Sequence, residues 1–341
     1  MKTPSRRALF ALAFAYFGCY VPYSAIAKAL TSASVRGGET ATGLTLLPIM
    51  ILSSMVSMLI TISVLGWWRY ARPVGSRWPR PNRWTLLSGL ATATILVTTT
   101  LAYTFDGVSL PFVMLVMRGG VLVLAPVVDL LSARRIRWFS WLALGLSLVS
   151  LADAFATRSG TVPVLCAVDL ALYLTGYFVR LRLMARLGKS EDPATRRRYF
   201  VEEQMVATPA AVILLGVLAA VGPAALHGPL RDGLTGLWTS STAGWAVIAG
   251  VCSQGTGVFG GLLLLDASEA TYCVPLNRAA SILGGIVASA ALALLFGQAP
   301  PSGWELAGAG LLVAAIAVLW IGPSVRFAAS RRRAETAARP L

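Results

Sequence analysis

Apolar residues along this chain seldom alternate with polar ones; they run together in long stretches that end at short clusters of Arg, Pro, Gly and Asp. Ten such stretches can be drawn, approximately at 8–30, 41–68, 84–105, 111–131, 138–156, 162–187, 205–222, 243–265, 270–297 and 303–322. A hydrocarbon core about 30 Å thick needs roughly 20 apolar helical residues, so ten crossings are predicted. Barrel strands would give alternating segments of about ten residues instead. The pattern therefore predicts an all-α integral membrane protein of ten transmembrane helices.

Composition agrees: 56% of the 341 residues are hydrophobic, only 13% are charged, and the mean hydropathy is +0.72. Soluble domains carry about 25% charged residues, and disordered chains are far less apolar. Cys19, Cys166, Cys252 and Cys273 lie scattered in apolar stretches, no CxxC is present and His227 is the sole histidine. Neither a disulfide framework nor a zinc site is expected, and no metal or cofactor is implied.

The basic residues give the orientation. With the N-terminus inside, 23 of the 29 lysines and arginines fall on the cytoplasmic side, in the N-terminus, at 69–83, at 134–137, at 180–198 and in the tail after 325. Lys28, Arg36, Arg158 and Arg231 fall outside, and Arg118 and Arg278 inside the membrane. Both ends are thus predicted cytoplasmic by the positive-inside rule. The net charge of +15 is then a topology signal that also favours anionic membrane lipids, and no nucleic-acid partner is expected. Three lysines against 26 arginines, with abundant Ala, point to a GC-rich bacterial genome and an inner membrane. One alternative concerns the first stretch: Arg6-Arg7, an apolar run and Ala25-Ile26-Ala27 fit a cleavable signal. Its length and its Tyr16, Tyr20, Pro22 and Tyr23 fit a retained helix better.

Five helices are an odd number, so two halves, 1–160 and 161–325 with a basic tail at 326–341, would enter the membrane from opposite sides, an inverted-repeat design common among transporters. Asp106-Gly107-Val108-Ser109 leads to Pro111 and Arg118-Gly119-Gly120 in the first half. Asp266-Ala267-Ser268-Glu269 leads to Pro275, Arg278, Gly284 and Gly285 in the second. Trp-bearing final helices follow, with Trp138 and Trp141 in one half and Trp304 in the other. Through Ala102-Tyr103-Thr104 to Asp153, and Gly261 to Trp320 with its Gly303-Trp304-Glu305-Leu306-Ala307-Gly308-Ala309-Gly310, the chain resembles the drug/metabolite transporter superfamily, in its EamA-like permeases and nucleotide-sugar translocators. The resemblance implies ten helices in two inverted five-helix repeats and transport of a small metabolite. It departs after the fourth helix, where Ser132-Ala133-Arg134-Arg135 stands in place of the usual Gly-Glu turn.

Charge inside a membrane is costly, which singles out two arginines. Arg118 stands seven residues beyond Pro111, about 10 Å deep, and Arg278 eight beyond Ala270, about 12 Å deep from the other face. Guanidinium groups in a low-dielectric cavity favour carboxylate or phosphate, so both are candidate ligands for an anionic small-molecule substrate. Alternatively each is neutralised by free helix carbonyls or by an acid, Asp169, at a depth like that of Arg118, or the shallower Asp153, and merely holds the bundle together. Either acid could instead carry a coupling proton. Asp129 is read as a helix-end partner of Arg134 or Arg135.

Gln254, Asn277 and the pairs Tyr16/Tyr20 and Tyr173/Tyr177 are further candidate lining residues, each tyrosine pair sharing one helix face at spacing four. Packing is the competing reading for the tyrosines. Trp67, Trp68, Trp84, Trp138, Trp304 and Trp320 fall at predicted helix ends, as an interfacial belt would. Gly255-Thr256-Gly257-Val258-Phe259-Gly260 matches GxGxxG but lacks the βαβ context of a dinucleotide site. It reads as a smooth helix-packing face. No catalytic constellation is found, so the chain is expected not to be an enzyme. The segment 223–242 is read as an outer lid or connector. The leading expectation is a secondary-active transporter working by alternating access. A membrane protein that binds a lipid or protein partner through its basic face is the alternative, and a membrane enzyme the third.

Overall fold

Without water to bond to, backbone in a bilayer core must satisfy its own N–H and C=O groups, and the apolar stretches do so as helices. The computed structural model describes residues 6–31, 42–73, 78–101, 110–155, 164–297, 303, 306–308 and 310–322, and among these it contains no strand. In chain order the helices are α1 (Arg6–Thr31), α2 (Gly43–Val64), α3 (Arg83–Leu101), α4 (Leu110–Leu131), α5 (Trp138–Phe155) and α6 (Val164–Leu183). They continue with α7 (Pro193–Val221), α8 (Ala224–Thr235), α9 (Ala243–Leu264), α10 (Ala270–Phe296) and α11 (Leu306–Gly322). Asp106 to Ser109, the side chain of Asp153, Trp304 and the basic tail lie outside the described residues.

Among the described residues, five helices are long and apolar enough to cross a membrane: Arg7–Thr31, Gly43–Val64, Pro193–Val221, Ala243–Leu264 and Ala270–Phe296. Large apolar side chains such as Val64, Val221, Leu294 and Leu295 stand exposed on the bundle exterior, as contact with lipid would require.

Three boundaries differ from the sequence expectation. The stretch predicted at 41–68 breaks at Gly66, whose left-handed φ of 62° starts a short 3₁₀ turn, Trp67–Ala71. Expected at 205–222, α7 begins twelve residues earlier, at Pro193. Asp192 caps it by accepting from the N–H groups of Ala194 (3.1 Å) and Thr195 (3.0 Å); the Thr195 hydroxyl and those N–H groups hold the Asp192 carboxyl below its usual value. The third is the connector at 223–242, which folds into α8 and a 3₁₀ turn, Leu237–Thr239.

α1 packs against α9 and α10, whereas α6 packs against α3 and α4. α3 also packs on α7, and α9 on α2. Two glycines allow these last contacts: a Cβ on Gly89 of α3 would meet the Glu203 carbonyl oxygen at 2.9 Å, and one on Gly250 of α9 the Met50 carbonyl oxygen at 2.5 Å. The largest buried apolar cluster, with Leu122, Phe139, Met184 and Phe200 fully enclosed, joins α4, α5, α6, α7 and α10.

Candidate functional site

Arg118 is the ninth residue of α4 and Arg278 the ninth of α10. Each turns its guanidinium onto a tyrosine. Arg278 Nη2 donates to the Tyr177 hydroxyl on α6 at 2.7 Å, with its guanidinium carbon 5.0 Å from the ring centre. Arg118 Nη2 donates to the Tyr20 hydroxyl on α1, with its guanidinium carbon 5.6 Å from that ring. The partner tyrosines stand side by side with a second one: the Tyr16 and Tyr20 rings are 5.8 Å apart and the Tyr173 and Tyr177 rings 4.9 Å. Tyr16 is buried close to Gly260 of α9, where a Cβ would meet its ring at 2.9 Å and the amide nitrogen of Asn277 at 3.1 Å. Arg118, Arg278, Asn277 and the four predicted tyrosines are thereby drawn together between α1, α4, α6 and α10.

Arg278 is only 8% exposed, its Nε has no hydrogen-bond partner, and none of the ion pairs among the described residues includes it. Hydroxyls, not carboxylates, surround this buried cation. Gln254 is bonded to α2: Ser54 Oγ donates to Gln254 Oε1 at 2.7 Å, and Gln254 Nε2 points at Met58 Sδ at 3.3 Å. That side chain ties α9 to α2. Asp169 is 3% exposed and neither of its oxygens is hydrogen-bonded; the expected pair with Arg118 is not formed. Asp153 lies on α5. The GxGxxG stretch is helical throughout, inside α9.

A second buried polar centre is not apparent from the sequence. Glu203 on α7, fully enclosed, takes two bonds from Arg180 of α6, Nε to Oε1 at 2.9 Å and Nη2 to Oε2 at 3.1 Å. Its Oε1 also accepts from Ser88 at 2.6 Å and Thr92 at 3.2 Å, both on α3, while the Tyr199 hydroxyl donates to Ser88 at 2.7 Å. Arg180, which the sequence groups with the cytoplasmic basic residues, is buried in this centre. The available signal is Asp192-Pro193, an N-cap followed by proline at the first helical position, which moves the start of α7 back far enough to bury Glu202 and Glu203.

At the expected cytoplasmic face, the start of α10 is held from three directions. Asp129 accepts from the backbone N–H of Ala270 (2.9 Å) and Thr271 (2.7 Å) and from the Thr271 hydroxyl (2.7 Å). This corrects the pairing expected with Arg134 or Arg135. A carboxylate satisfies free N–H groups at a helix start and lies at the positive end of its dipole. Arg134 reaches the carbonyls of Ala267 and Ala185, both at 3.0 Å. Arg137 binds Glu269 through Nε (2.7 Å) and Nη2 (2.6 Å), with Ser140 donating to the same carboxylate at 2.7 Å. Burial pushes the Glu269 carboxyl up, but Arg137 and Ser140 outweigh it and hold the group below its usual value. Lys189 donates to the carbonyls of Asp266 and Ser268, and Arg196 pairs with Asp266 at 3.2 Å. A pocket of about 350 Å³ between α7 and α8, edged by His227 and Arg231, involves none of these groups.

No family model matches the chain, and no curated protein matches it in sequence. Structural matches number 24 chains. One, described only as the crystal structure of a protein, is 17% identical, with a TM-score of 0.58 over 92% of this chain and 98% of its own. At that identity the likeness concerns the fold alone, but it extends over nearly the whole of both chains.

Proposed function

We propose that this protein is a secondary-active transporter of the drug/metabolite transporter kind, moving a small anionic or polar metabolite across a bacterial inner membrane by alternating access. The observation that carries the reading is Arg278: a buried guanidinium with an unbonded Nε and only tyrosine hydroxyls for company. A buried charge needs a counter-charge or a full set of hydrogen bonds, and a substrate carboxylate or phosphate supplies both. Ten spans with both ends cytoplasmic, in halves 1–160 and 161–325, give the two arginines equivalent places. α1 and α6 are then the first helices of the two halves, α4 and α10 the fourth, and each half repeats one motif, a first-helix tyrosine pair holding a fourth-helix arginine. The packing is reciprocal as well: α1 lies against α9 and α10, and α6 against α3 and α4. Such a crossed arrangement lets the halves rock about a shared centre.

The test is uptake into, and counterflow from, proteoliposomes holding the purified protein, over a panel of carboxylated, phosphorylated and neutral metabolites. Saturable movement of anions, abolished by Arg118→Ala and by Arg278→Ala in folded protein, is the expected result. Movement of neutral solutes alone, equal in the two variants, would make the arginines structural; no movement at all would leave a non-transporting membrane protein.

A further inference from the structure

α6 carries Asp169, Tyr173 and Tyr177 at spacing four, on one helix face. The last of these holds Arg278, so Asp169 stands eight residues, about 12 Å of helix rise, from a buried cation of the proposed substrate site. Among the described residues the other buried acids, Asp129, Glu202, Glu203, Asp266 and Glu269, are all hydrogen-bonded. Asp169 alone has two buried oxygens and no partner. An uncompensated buried carboxylate is costly, and taking up one proton removes the charge that makes it so.

The groups around Asp169 narrow what it can exchange with. Its own helix places Cys166 one turn before it and Tyr173 one turn after. α3 carries no titratable side chain beyond Arg83 at its start. α4 carries Arg118 and Asp129, and Asp129 is committed to the start of α10. Arg180 is bonded to Glu203 beyond Tyr177, and Arg186 lies in the turn that follows α6. Register shows which cation lies at a similar level. A Cβ on Gly120 would touch Leu174, and Arg182 donates to Ser132 at 2.5 Å, so α4 and α6 run side by side in one direction and Arg118 stands within a turn of the level of Asp169.

Resting on the transporter reading, we propose that Asp169 binds the coupled proton, and that its carboxylate and the substrate anion compete for Arg118, so that anion and proton cross together. When the proton leaves an Asp169 oxygen for water, the carboxylate draws the Arg118 guanidinium to itself. When the proton returns, Arg118 is released to hold the anion.

Two measurements test it, on full-length protein with Asp169→Asn as the neutral isostere. The first is infrared spectroscopy of purified protein at neutral pH. A protonated-carboxyl C=O band present in wild type and lost in D169N is expected, and a wild-type spectrum unchanged by the substitution overturns the proposal. The second uses proteoliposomes enclosing a pH-sensitive dye, with succinate and inorganic phosphate as probes. Wild type should acidify the lumen when a probe anion is added outside, and D169N should lose that acidification while retaining counterflow of the same anion. Equal acidification by D169N overturns proton coupling through Asp169 even if transport is real. Failure of wild type to move either anion counts against the transporter reading instead, and the infrared band then judges Asp169 by itself.

Discussion

Arg118 and Arg278 hold the same place in two helices, each the ninth residue, and each is bonded to the hydroxyl of a tyrosine whose ring lies beside that of another tyrosine one turn away. They differ in depth within the bundle, Arg278 being buried and Arg118 half-buried. In a transporter built from two equivalent halves, that difference is what one end of the alternating cycle would look like. On that reading the buried pair would be the one shut in, and the other nearer to opening.

Tyr177→Phe keeps the ring under the Arg278 guanidinium but removes the hydroxyl that accepts from Nη2. A hydrogen bond to a charged group contributes about 1.5 kcal/mol or more, so the apparent affinity for a transported anion should fall about tenfold. Half-saturation of uptake in proteoliposomes measures it. Unchanged affinity in Y177F would show that the hydroxyl does not orient Arg278 for substrate.

Arg180 and Glu203 make a different use of buried charge. Their paired bonds, with Ser88 and Thr92 completing the carboxylate's needs, join α3, α6 and α7. Glu203→Ala strands a buried guanidinium, and breaking a buried pair in this way costs about 3–5 kcal/mol. Replacing both partners together, Arg180→Met with Glu203→Leu, should restore most of that loss. Thermal unfolding in detergent reads both, and a double variant as unstable as the single one would contradict the account.

The helical class and the buried place of Arg278 were legible because both follow from local signals. Long apolar runs dictate helices, and an arginine such as Arg278 inside one stands out by its cost. Asp129 and Glu203 could not be placed in the same way. The first caps a helix 141 residues further along and the second is satisfied from 111 and 115 residues away, so only the fold reveals their partners. Asp169 illustrates the converse. Its similar depth in a neighbouring helix pointed to a pair with Arg118, but depth fixes neither the facing direction nor the protonation of a carboxyl, and the Asp169 oxygens are unbonded.

The turn between α4 and α5 predicts a stabilising substitution. Ala133 has φ 53°, the only positive value for a residue other than glycine among those described. The left-handed conformation costs an L-residue roughly 1–2 kcal/mol, and glycine avoids it. Glycine also loses more backbone entropy on folding, about 0.5–1 kcal/mol, so Ala133→Gly should gain a few tenths to about 1 kcal/mol. A rise in unfolding temperature is the expected outcome. A fall for A133G would mean that the backbone there is not under strain.

Glu269 gives the pH dependence of the same face. Burial alone would raise its carboxyl, but the bonds from Arg137 and Ser140 and the arginine's charge lower it overall. A group whose value is lower in the folded than in the unfolded state stabilises the fold above its unfolded value, and loses that contribution as pH falls through the folded one. The contribution should therefore be complete at neutral pH and vanish only at pH below the ordinary glutamate range. Glu269→Gln keeps a hydrogen-bonding side chain but cannot ionise, so it should be less stable than wild type at neutral pH. The gap should close as the solution is acidified, because the protonated carboxyl of Glu269 and the amide of the variant are then alike in charge. Unfolding temperatures of the two proteins from neutral to acid pH measure the gap directly. A gap that stayed constant across the series would show that the Arg137–Glu269 pair adds nothing by its charge, and that the start of α10 is held by Asp129 and hydrogen bonds alone.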